Sequence, residues 1–199
     1  MDEIHVNNIN EINFHPILKD IENIFWFFLL SVRTLSNDDI QNTLRILNKQ
    51  EGYGAFDQML DKFNTSTDLK IEKRENIATS KLNIIKEMNF MGKAMAVLTC
   101  ELLSASDYFL EIRDDKELKF LKYIRNGAAH NNKFDLKYRY GKNKGQWMLG
   151  EKEIIEWNNS KISRELQDKE VFNGFISMPS IFLLAKHFSE RLENIDRKK

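Results

Sequence analysis

Apolar residues recur at intervals of three and four along most of this chain, which is the spacing of one face of an α-helix. One stripe begins after His15-Pro16, and a long second stripe runs from about Leu82 to Ile112. A third helix is predicted to end near Ala129, and a last one to begin at Ser177-Met178-Pro179. The pattern therefore predicts an all-α fold, a bundle of long antiparallel helices. The four stripes consist of Ile17, Ile21, Ile24, Phe28, Val32 and Leu35; Ile85, Met88, Met91, Met95, Leu98, Leu102, Phe109 and Ile112; Leu118, Leu121 and Ile124; and Ile181, Leu184, Phe188, Leu192 and Ile195.

The segments between these helices have other patterns. Residues 38–48 and 56–63 are predicted to form two shorter helices, and the polar residues 64–80 a loop. Between residues 134 and 157, aromatic and β-forming residues lie on either side of Gly141-Lys142-Asn143-Lys144-Gly145. This arrangement predicts a small β hairpin or an irregular extension of the helical bundle.

The composition is that of an ordinary globular protein, and residues 1–199 are predicted to form a single domain. Hydrophobic residues make up 42% of the chain, which is enough to build a core without disulfides or metals. The formal net charge is zero, so the protein as a whole is not expected to attract nucleic acid. Binding to RNA would therefore require a local basic patch.

The sequence predicts a cytoplasmic protein without metal, cofactor or membrane contact. Its single cysteine, Cys100, allows no intrachain disulfide and is interpreted as a buried helical residue. The acidic start Met1-Asp2-Glu3 does not have the pattern of a signal peptide, and the apolar run from Ile24 to Val32 is too short to span a bilayer. His15 and His187 have no partners at metal-ligand or triad spacing, and the acidic residues are dispersed.

The third predicted helix ends in Ile124-Arg125-Asn126-Gly127-Ala128-Ala129-His130, which brings three functional groups close together along the chain. RNA can be cleaved without a metal when its 2′-hydroxyl attacks the adjacent phosphate, a reaction that needs proton transfer and positive charge on the phosphate. Histidine is suited to proton transfer near neutral pH, and the planar guanidinium of arginine is suited to phosphate oxygens. Asn126 can bond the phosphate or orient His130 without adding charge.

The same residues also have a purely structural interpretation. Arg125 can pair with a carboxylate such as Asp107 or Asp115. His130 can cap the helix, with Asn131-Asn132 ending it. A motif this short also arises by chance, so its spacing alone does not decide between the two interpretations.

Arg125, Asn126 and His130 resemble the signature of the HEPN superfamily (higher eukaryotes and prokaryotes nucleotide-binding). That signature is an Arg, often followed by a polar residue such as Asn, and then a His after a few intervening positions. It lies near the end of a core helix in the last third of a small helical domain. The likeness is sharp at these three positions and loose over the rest. It implies a metal-independent endoribonuclease that leaves 2′,3′-cyclic phosphate and 5′-hydroxyl ends, in a toxin–antitoxin system or anti-phage defence.

The resemblance leaves other functions open. A HEPN module without catalysis would bind RNA, a nucleotide or a protein partner, and a helical structural protein with an accidental motif is a third hypothesis. An active ribonuclease would need an antitoxin or another inhibitory partner, because free RNA cleavage harms its host. HEPN toxins often carry a Tyr two positions after the His, which their antitoxin modifies. Asn132 stands at that position here, so the resemblance gives no support for this form of control.

The spacing of the motif also bears on assembly. Positions five apart lie about 140° around a regular helix, so Arg125 and His130 would not share a face, whereas Asn126 and His130 would. Either the helix loosens at Gly127, or the site is assembled from two chains. The resemblance implies dimers whose motifs face each other across a two-fold axis, and a symmetric homodimer with the site at its interface is therefore predicted.

Basic and aromatic residues alternate in the segment that follows the motif. Such interleaving suits phosphate contacts combined with base stacking, which predicts an RNA-binding surface. The alternative is an ordinary solvated hairpin whose aromatic residues belong to the core. The basic residues are Lys133, Lys137, Arg139, Lys142 and Lys144, against the single carboxylate of Asp135, and the aromatic residues are Phe134, Tyr138, Tyr140 and Trp147.

Overall fold

The computed structural model describes residues 13–35, 84–138 and 141–199. It is mainly helical, with one small antiparallel sheet in the described part of the chain. The predictions for residues 38–48, 56–63 and 64–80 lie outside the described residues. In chain order the elements are a 3-10 turn Pro16–Leu18, α1 Lys19–Leu35, α2 Ile84–Ala105, α3 Phe109–Ile112, α4 Lys116–Ala129, β1 Ile155–Trp157, β2 Ser160–Ile162, a 3-10 turn Arg164–Leu166, and α5 Met178–Asp196.

The predicted helix starts agree with the structure. Pro16 opens the turn that leads into α1, where the Ile17 N–H donates to Nδ1 of His15 at 3.3 Å. Ser177 precedes α5, and its Oγ accepts from the Ser180 N–H at 3.4 Å. α4 ends at Ala129, as its apolar pattern indicates.

The long second stripe is divided between two helices. α2 ends at Ala105, and α3 begins only at Phe109. Between them, Ser106 Oγ donates to the Leu103 carbonyl at 2.8 Å, a local side-chain bond that competes with continuation of the helix. The apolar period continues across the break because Ile112 of α3 is fully buried. Periodicity therefore marked the buried face correctly but not the interruption.

Apolar residues of α4 and α5 form much of the core. Three of them, Leu118, Leu121 and Ile124 of α4, are fully buried, as their stripe predicts. One predicted core position is wrong, since Ile85 in the first turn of α2 is 67% exposed. The α5 residues that are buried are Met178, Ile181, Phe182, Leu184, Ala185, Phe188, Ser189 and Leu192.

The segment after α4 contains two hairpin-like pairings. Lys137 and Trp147 form an antiparallel bridge, flanked by a bond from the Met148 N–H to the Leu136 carbonyl at 2.9 Å. β1 and β2 pair through the turn Asn158-Asn159, whose φ values of 45° and 65° are those of a two-residue type I′ turn. The β structure therefore extends past residue 157, the predicted limit. The missed signal was the Asn-Asn pair between two short runs of strand-forming residues.

The segment 147–157 packs against one face of α4. Tyr123 donates its hydroxyl proton to the Met148 carbonyl at 3.2 Å, and Lys119 Nζ lies 2.6 Å from a carboxylate oxygen of Glu153. Phe120 and Trp157 have ring centroids 6.1 Å apart. Burial is the main cause that raises the pKa of Tyr123 to about 12, as expected for a phenol removed from water.

The chain divides into two compact units. The first consists of Met1–Phe25 and Ile85–Lys199, and it holds the core described above. The second is Trp26–Ile84, of which the structure describes residues 26–35, the second half of α1, and Ile84. The single domain expected over residues 1–199 stays a prediction. Within the described ranges, no helix is both long and apolar enough to cross a membrane.

The chain reverses direction directly after α4, and residues 168–172 later cross the last turn of this helix. Asn131 and Asn132 have φ values of 57° and 62°, in the left-handed region that asparagine tolerates better than most residues. The chain then pairs with residues 168–172, where the Val171 N–H donates to the Asn132 carbonyl at 2.9 Å. Gly127 lies beneath this crossing. A Cβ at this position would lie 2.3 Å from Val171 Cγ2 and 3.1 Å from the Lys133 carbonyl oxygen.

We expect Gly127→Ala to lower the free energy of unfolding by about 1–3 kcal/mol, the usual cost of overpacking. The helix propensity of alanine, worth about 1 kcal/mol, does not offset a clash with a branched side chain and backbone. Urea unfolding measures the change. Gly174→Ala is the matched control, since nothing lies within 4 Å of its Cβ position, and it should stay within about 0.5 kcal/mol of wild type. A Gly127→Ala protein as stable as wild type would contradict the crossing described here.

Candidate functional site

Arg125 lies in the second half of α4 and its side chain is held by two neighbours. Its Nη2 pairs with Oε1 of Glu101 on α2, and its Nη1 donates to Oδ1 of Asn126 at 3.3 Å. The side chains of Arg125 and Glu101 are 35% and 55% exposed, so the ion pair faces solvent. Arg125 and Asn126, two residues of the predicted site, are therefore brought into contact by the structure.

Glu101 is a site residue that the sequence did not reveal. Asp107 and Asp115 are the carboxylates suggested by the sequence, but the structure pairs Arg125 with Glu101 instead. Oδ2 of Asp115 instead accepts a hydrogen bond from Nε of Arg191 at 3.3 Å. Glu101 lies 24 positions before Arg125, so only the packing of α2 against α4 could have shown the pair.

The guanidinium of Arg125 has an unused donor. Its Nε is buried and has no hydrogen-bond partner among the residues that the structure describes. Buried donors without a partner are rare in proteins. An oxyanion that binds arginine in two-pronged fashion uses adjacent N–H groups of the guanidinium, and here the bond to Glu101 uses Nη2 while Nε stays unpaired. Arg125 therefore has one donor that no described residue satisfies, and a further acceptor would reach it only if the side chains that cover Nε move.

His130 occupies the C-cap of α4. The helix continues regularly through Gly127 to Ala129, so it does not loosen at Gly127. At His130 the backbone leaves the helical region, with φ −126° and ψ 79°, and its N–H donates to the Gly127 carbonyl at 3.1 Å. The imidazole is exposed, and within the described ranges it has no hydrogen-bond partner. No hydrogen bond joins it to Arg125 or Asn126 in one chain.

Cys100 lies next to Glu101 on α2 and near the guanidinium of Arg125. Burial raises the pKa of the thiol, while a hydrogen bond from Ser104 and the charges of Arg125 and Lys122 act in the opposite direction. The net rise keeps the thiol protonated near neutral pH, and a protonated thiol is a poor nucleophile. The interpretation of Cys100 as a buried helical residue is confirmed, since it is 5% exposed.

The basic segment after the motif is only partly available to a ligand. Lys133, Lys142 and Lys144 are exposed, whereas Arg139 and Tyr140 lie outside the described residues. Phe134 is fully buried and packs edge-on against Phe175 with ring centroids 4.9 Å apart, so for this residue the alternative of an aromatic side chain in the core is correct and base stacking is excluded. Two aromatic residues of the segment remain: Tyr138 is 42% exposed, and Trp147 is half-buried.

Trp147 is in contact with two cationic groups. Lys137 Nζ lies 4.6 Å from the centroid of its rings, and Arg164 Cζ lies 5.0 Å from it. Nε and Nη2 of Arg164 both donate to the Leu149 carbonyl, at 3.0 and 2.7 Å. Arg164 was not a candidate from the sequence, because it lies beyond the basic segment and no pattern connects it to Trp147.

Arg125 and the cations around Trp147 lie on different sides of α4. Tyr123 contacts the segment that contains Trp147 and Met148, whereas Arg125 contacts α2. Positions two apart in a helix are separated by about 200°. Within one chain, the structure therefore brings Arg125 and Asn126 together and separates them from Lys137.

His15 has partners that the sequence did not indicate. The imidazole is buried, and its Nε2 lies 3.1 Å from Oδ2 of Asp196. The other carboxylate oxygen accepts the Tyr108 hydroxyl at 2.5 Å, and together these two bonds hold the pKa of Asp196 below its usual value. Since this group joins the start of α1 to the end of α5, we assign it a structural role.

The chain has no match among family models, curated proteins or solved structures. The described residues contain no group of three or more His, Cys, Asp or Glu side chains able to hold a metal ion.

We expect the Arg125–Glu101 pair to contribute little to stability. Both side chains are partly exposed, and such pairs have coupling energies of about 0.2–1 kcal/mol. A double-mutant cycle of Arg125→Ala and Glu101→Ala, measured by urea unfolding, should give a value in this range. His130→Ala should change the free energy of unfolding by less than about 0.5 kcal/mol, since its side chain is exposed. A coupling above roughly 2 kcal/mol would instead indicate that Arg125 is a structural residue.

Proposed function

We propose that this protein is a metal-independent endoribonuclease of the HEPN type. The observation that carries the proposal is the grouping at the end of α4. Arg125 and Asn126 are in contact, and His130 is exposed at the helix cap. Among the described residues, Nε of Arg125 has no acceptor and the imidazole of His130 has no hydrogen-bond partner. These side chains provide the phosphate-binding and proton-transfer groups that the reaction requires.

In the proposed reaction, the 2′-oxygen of one nucleotide attacks the adjacent phosphorus and the bond from phosphorus to the 5′-oxygen breaks. His130 takes the proton from the 2′-hydroxyl, and the imidazolium that forms gives a proton to the departing 5′-oxygen. Arg125 neutralises the charge that develops on the phosphate oxygens. The products are a 2′,3′-cyclic phosphate and a 5′-hydroxyl, and no atom is taken from water or from a metal.

Glu101 competes with the substrate for Arg125. Breaking an exposed ion pair costs about 0.2–1 kcal/mol, whereas a hydrogen bond between charged groups contributes about 1.5–3 kcal/mol. A phosphate that bonds both Nη2 and the unpaired Nε therefore offsets the loss of Glu101.

A toxin or anti-phage effector with a restraining partner is the biological setting that we propose. In that setting, Asn132 is not a target of regulation. Its side-chain amide bonds both backbone groups of Phe172, accepting from the N–H at 2.9 Å and donating to the carbonyl at 2.6 Å. An antitoxin would therefore act on the site by another contact.

The rival proposal is a HEPN module that binds RNA, a nucleotide or a protein without cleaving it. One observation favours it, namely that Arg125 is paired with Glu101 while His130 makes no contact with Arg125. This observation is consistent with a ribonuclease if the site is composite, that is, if two chains contribute residues to it. In a two-fold dimer, Arg125 of one chain can lie beside His130 of the other, which one regular helix cannot arrange. Exposed apolar side chains on the first unit, including Phe90 and Leu110, are compatible with such an interface.

RNA cleavage in EDTA tests the proposed function. The wild-type protein should convert total RNA to fragments with cyclic-phosphate ends, and Arg125→Ala and His130→Ala should each reduce the rate by about 10²- to 10⁴-fold. Asn126→Ala should have a smaller effect, because its amide carries no charge. End-specific ligation and sequencing identify the ends.

Exposed residues of the same type provide the controls for this experiment. His187→Ala and Arg113→Ala should retain wild-type cleavage, since both are exposed and neither forms a hydrogen bond or ion pair with Arg125, Asn126 or His130 in the described part of the chain. RNA that is retained but not cleaved by any of these proteins would favour the binding module. Cleavage that persists in both Arg125→Ala and His130→Ala would refute the assigned roles.

Mixing the two inactive variants tests the composite site. If Arg125 of one chain serves His130 of the other, a heterodimer of Arg125→Ala and His130→Ala contains one intact half-site. Random mixing should then restore roughly a quarter of the wild-type rate. Light scattering measures the oligomeric state alongside activity. A mixture that contains dimers but stays inactive, or a monomer that cleaves at the full rate, would contradict the composite site.

A further inference from the structure

Two cations face one indole on the side of α4 opposite to Arg125. Lys137 and Arg164 each lie within 5.0 Å of the centroid of the Trp147 rings, so their charges are at most about 10 Å apart. A separation of this size is comparable to the distance over which salt screens charges, about 8 Å at physiological ionic strength. The two charges therefore act on each other and on any ligand together.

Neither cation is paired with a carboxylate among the described residues. Within the described ranges, no carboxylate oxygen lies within 4.0 Å of Nζ of Lys137 or of the guanidinium nitrogens of Arg164, while nine other lysines and arginines are ion-paired there. Lys142 and Lys144 are exposed in the turn that follows Lys137, and they extend the positive charge. Two like charges held together without a counter-ion attract an anion from solution.

The guanidinium of Arg164 and the backbone of Lys137 are both held in place before any ligand arrives. Arg164 is anchored by two hydrogen bonds to the Leu149 carbonyl, which leaves three of its five N–H donors unused. The backbone of Lys137 forms an antiparallel bridge with that of Trp147. A site that is ordered in advance loses little entropy on binding.

We propose that Lys137, Trp147 and Arg164 form a binding site for the phosphodiester backbone of a single-stranded nucleic acid. Tyr138 follows Lys137 directly and is 42% exposed, which offers a ring to a neighbouring base. An acidic peptide would use the charges but not this aromatic surface. The choice of RNA over DNA rests on the proposed function, whereas the phosphate site itself does not.

The location of this site gives it a role in holding the strand. Because Tyr123 and Arg125 point about 200° apart around α4, the strand held at Trp147 does not lie directly on Arg125 of the same chain. The site therefore binds RNA away from the cleaved phosphate and contributes affinity rather than chemistry. Arg164 is a binding residue that the basic segment after the motif did not include.

Binding of a fluorescent 2′-O-methyl oligouridylate to the full-length protein tests the proposal, since this strand has no free 2′-hydroxyl and is not cleaved. Anisotropy gives Kd across about 50 to 200 mM salt. Lys137→Gln and Arg164→Gln should each weaken binding by roughly threefold to tenfold. Each should also make the slope of log affinity against log salt shallower by about 0.7, the value for one lost contact to a single strand.

Lys116→Gln is the control matched in charge. Lys116 is exposed in the first turn of α4 and has no ion pair among the described residues, so its loss should leave the salt slope unchanged. Slopes of Lys137→Gln and Arg164→Gln that equal the control would overturn the proposal. If Arg164→Gln fails to fold in a thermal melt, Lys137→Gln alone decides, since its side chain makes no hydrogen bond that holds another residue in the described part of the chain. Polyglutamate that competes as well as a nucleic acid strand of equal length would also overturn it.

The outcome is separate from the test of cleavage. A protein that cleaves RNA but binds it independently of Lys137 and Arg164 loses this inference and keeps the proposed function. A protein that never cleaves, yet shows the changed salt slopes, keeps the site and loses the ribonuclease. A deoxyribonucleotide strand bound with the same dependence supports recognition of the backbone, and tighter binding of the 2′-O-methyl strand supports RNA as the occupant.

Discussion

The crossing of residues 168–172 over the last turn of α4 is the constraint on which the candidate site depends. Gly127 leaves no room for a methyl group between the helix and the crossing chain. On its other faces the helix is held by Tyr123 against the β segment and by fully buried apolar residues. α4 therefore cannot rotate or lengthen without collisions in a close-packed interior. The directions in which Arg125 and His130 leave the helix follow from that packing.

Charge at the end of α4 is balanced rather than simply positive. Arg125 is paired with a solvent-facing Glu101, and no residue that the structure describes provides an acceptor for its Nε. An exposed pair is weak enough to be exchanged for a phosphate, and an unpaired buried donor favours such an exchange. In such a site Glu101 pairs with Arg125 until a phosphate replaces it. This balance also fits a protein with no net charge, because nonspecific polyanions gain little from it.

The groups that we propose to bind RNA lie on opposite sides of α4, and the dimer that we propose would bring them onto one strand. A strand that contacts Trp147 on one chain continues away from Arg125 of that chain. A second chain related by a two-fold axis would offer its own Arg125 and His130 to the extended strand. Cleavage and holding would then be divided between subunits, which would make the length of the bound strand depend on the dimer.

Local patterns in the sequence predicted the elements that depend on neighbouring residues. Helical period, Ser177 before α5 and the end of α4 at Ala129 are of this kind, and each agrees with the structure. The sequence shows Gly127 and Asn132, but it does not show that the fold requires a glycine and an asparagine at these positions. Only the chain that crosses α4 gives them their roles, since it fills the space above the glycine and bonds the asparagine amide.

Long-range contacts in the candidate sites came from tertiary structure alone. The sequence identified Arg125, Asn126 and His130 because they are close along the chain. It did not identify Glu101 or Arg164, since each reaches its partner only when separate segments pack together. It left open whether Phe134 belongs to a binding surface or to the core, because alternation does not tell which aromatic residue a hairpin buries. Periodicity records which face of an element is apolar, and packing decides which distant side chain that face meets.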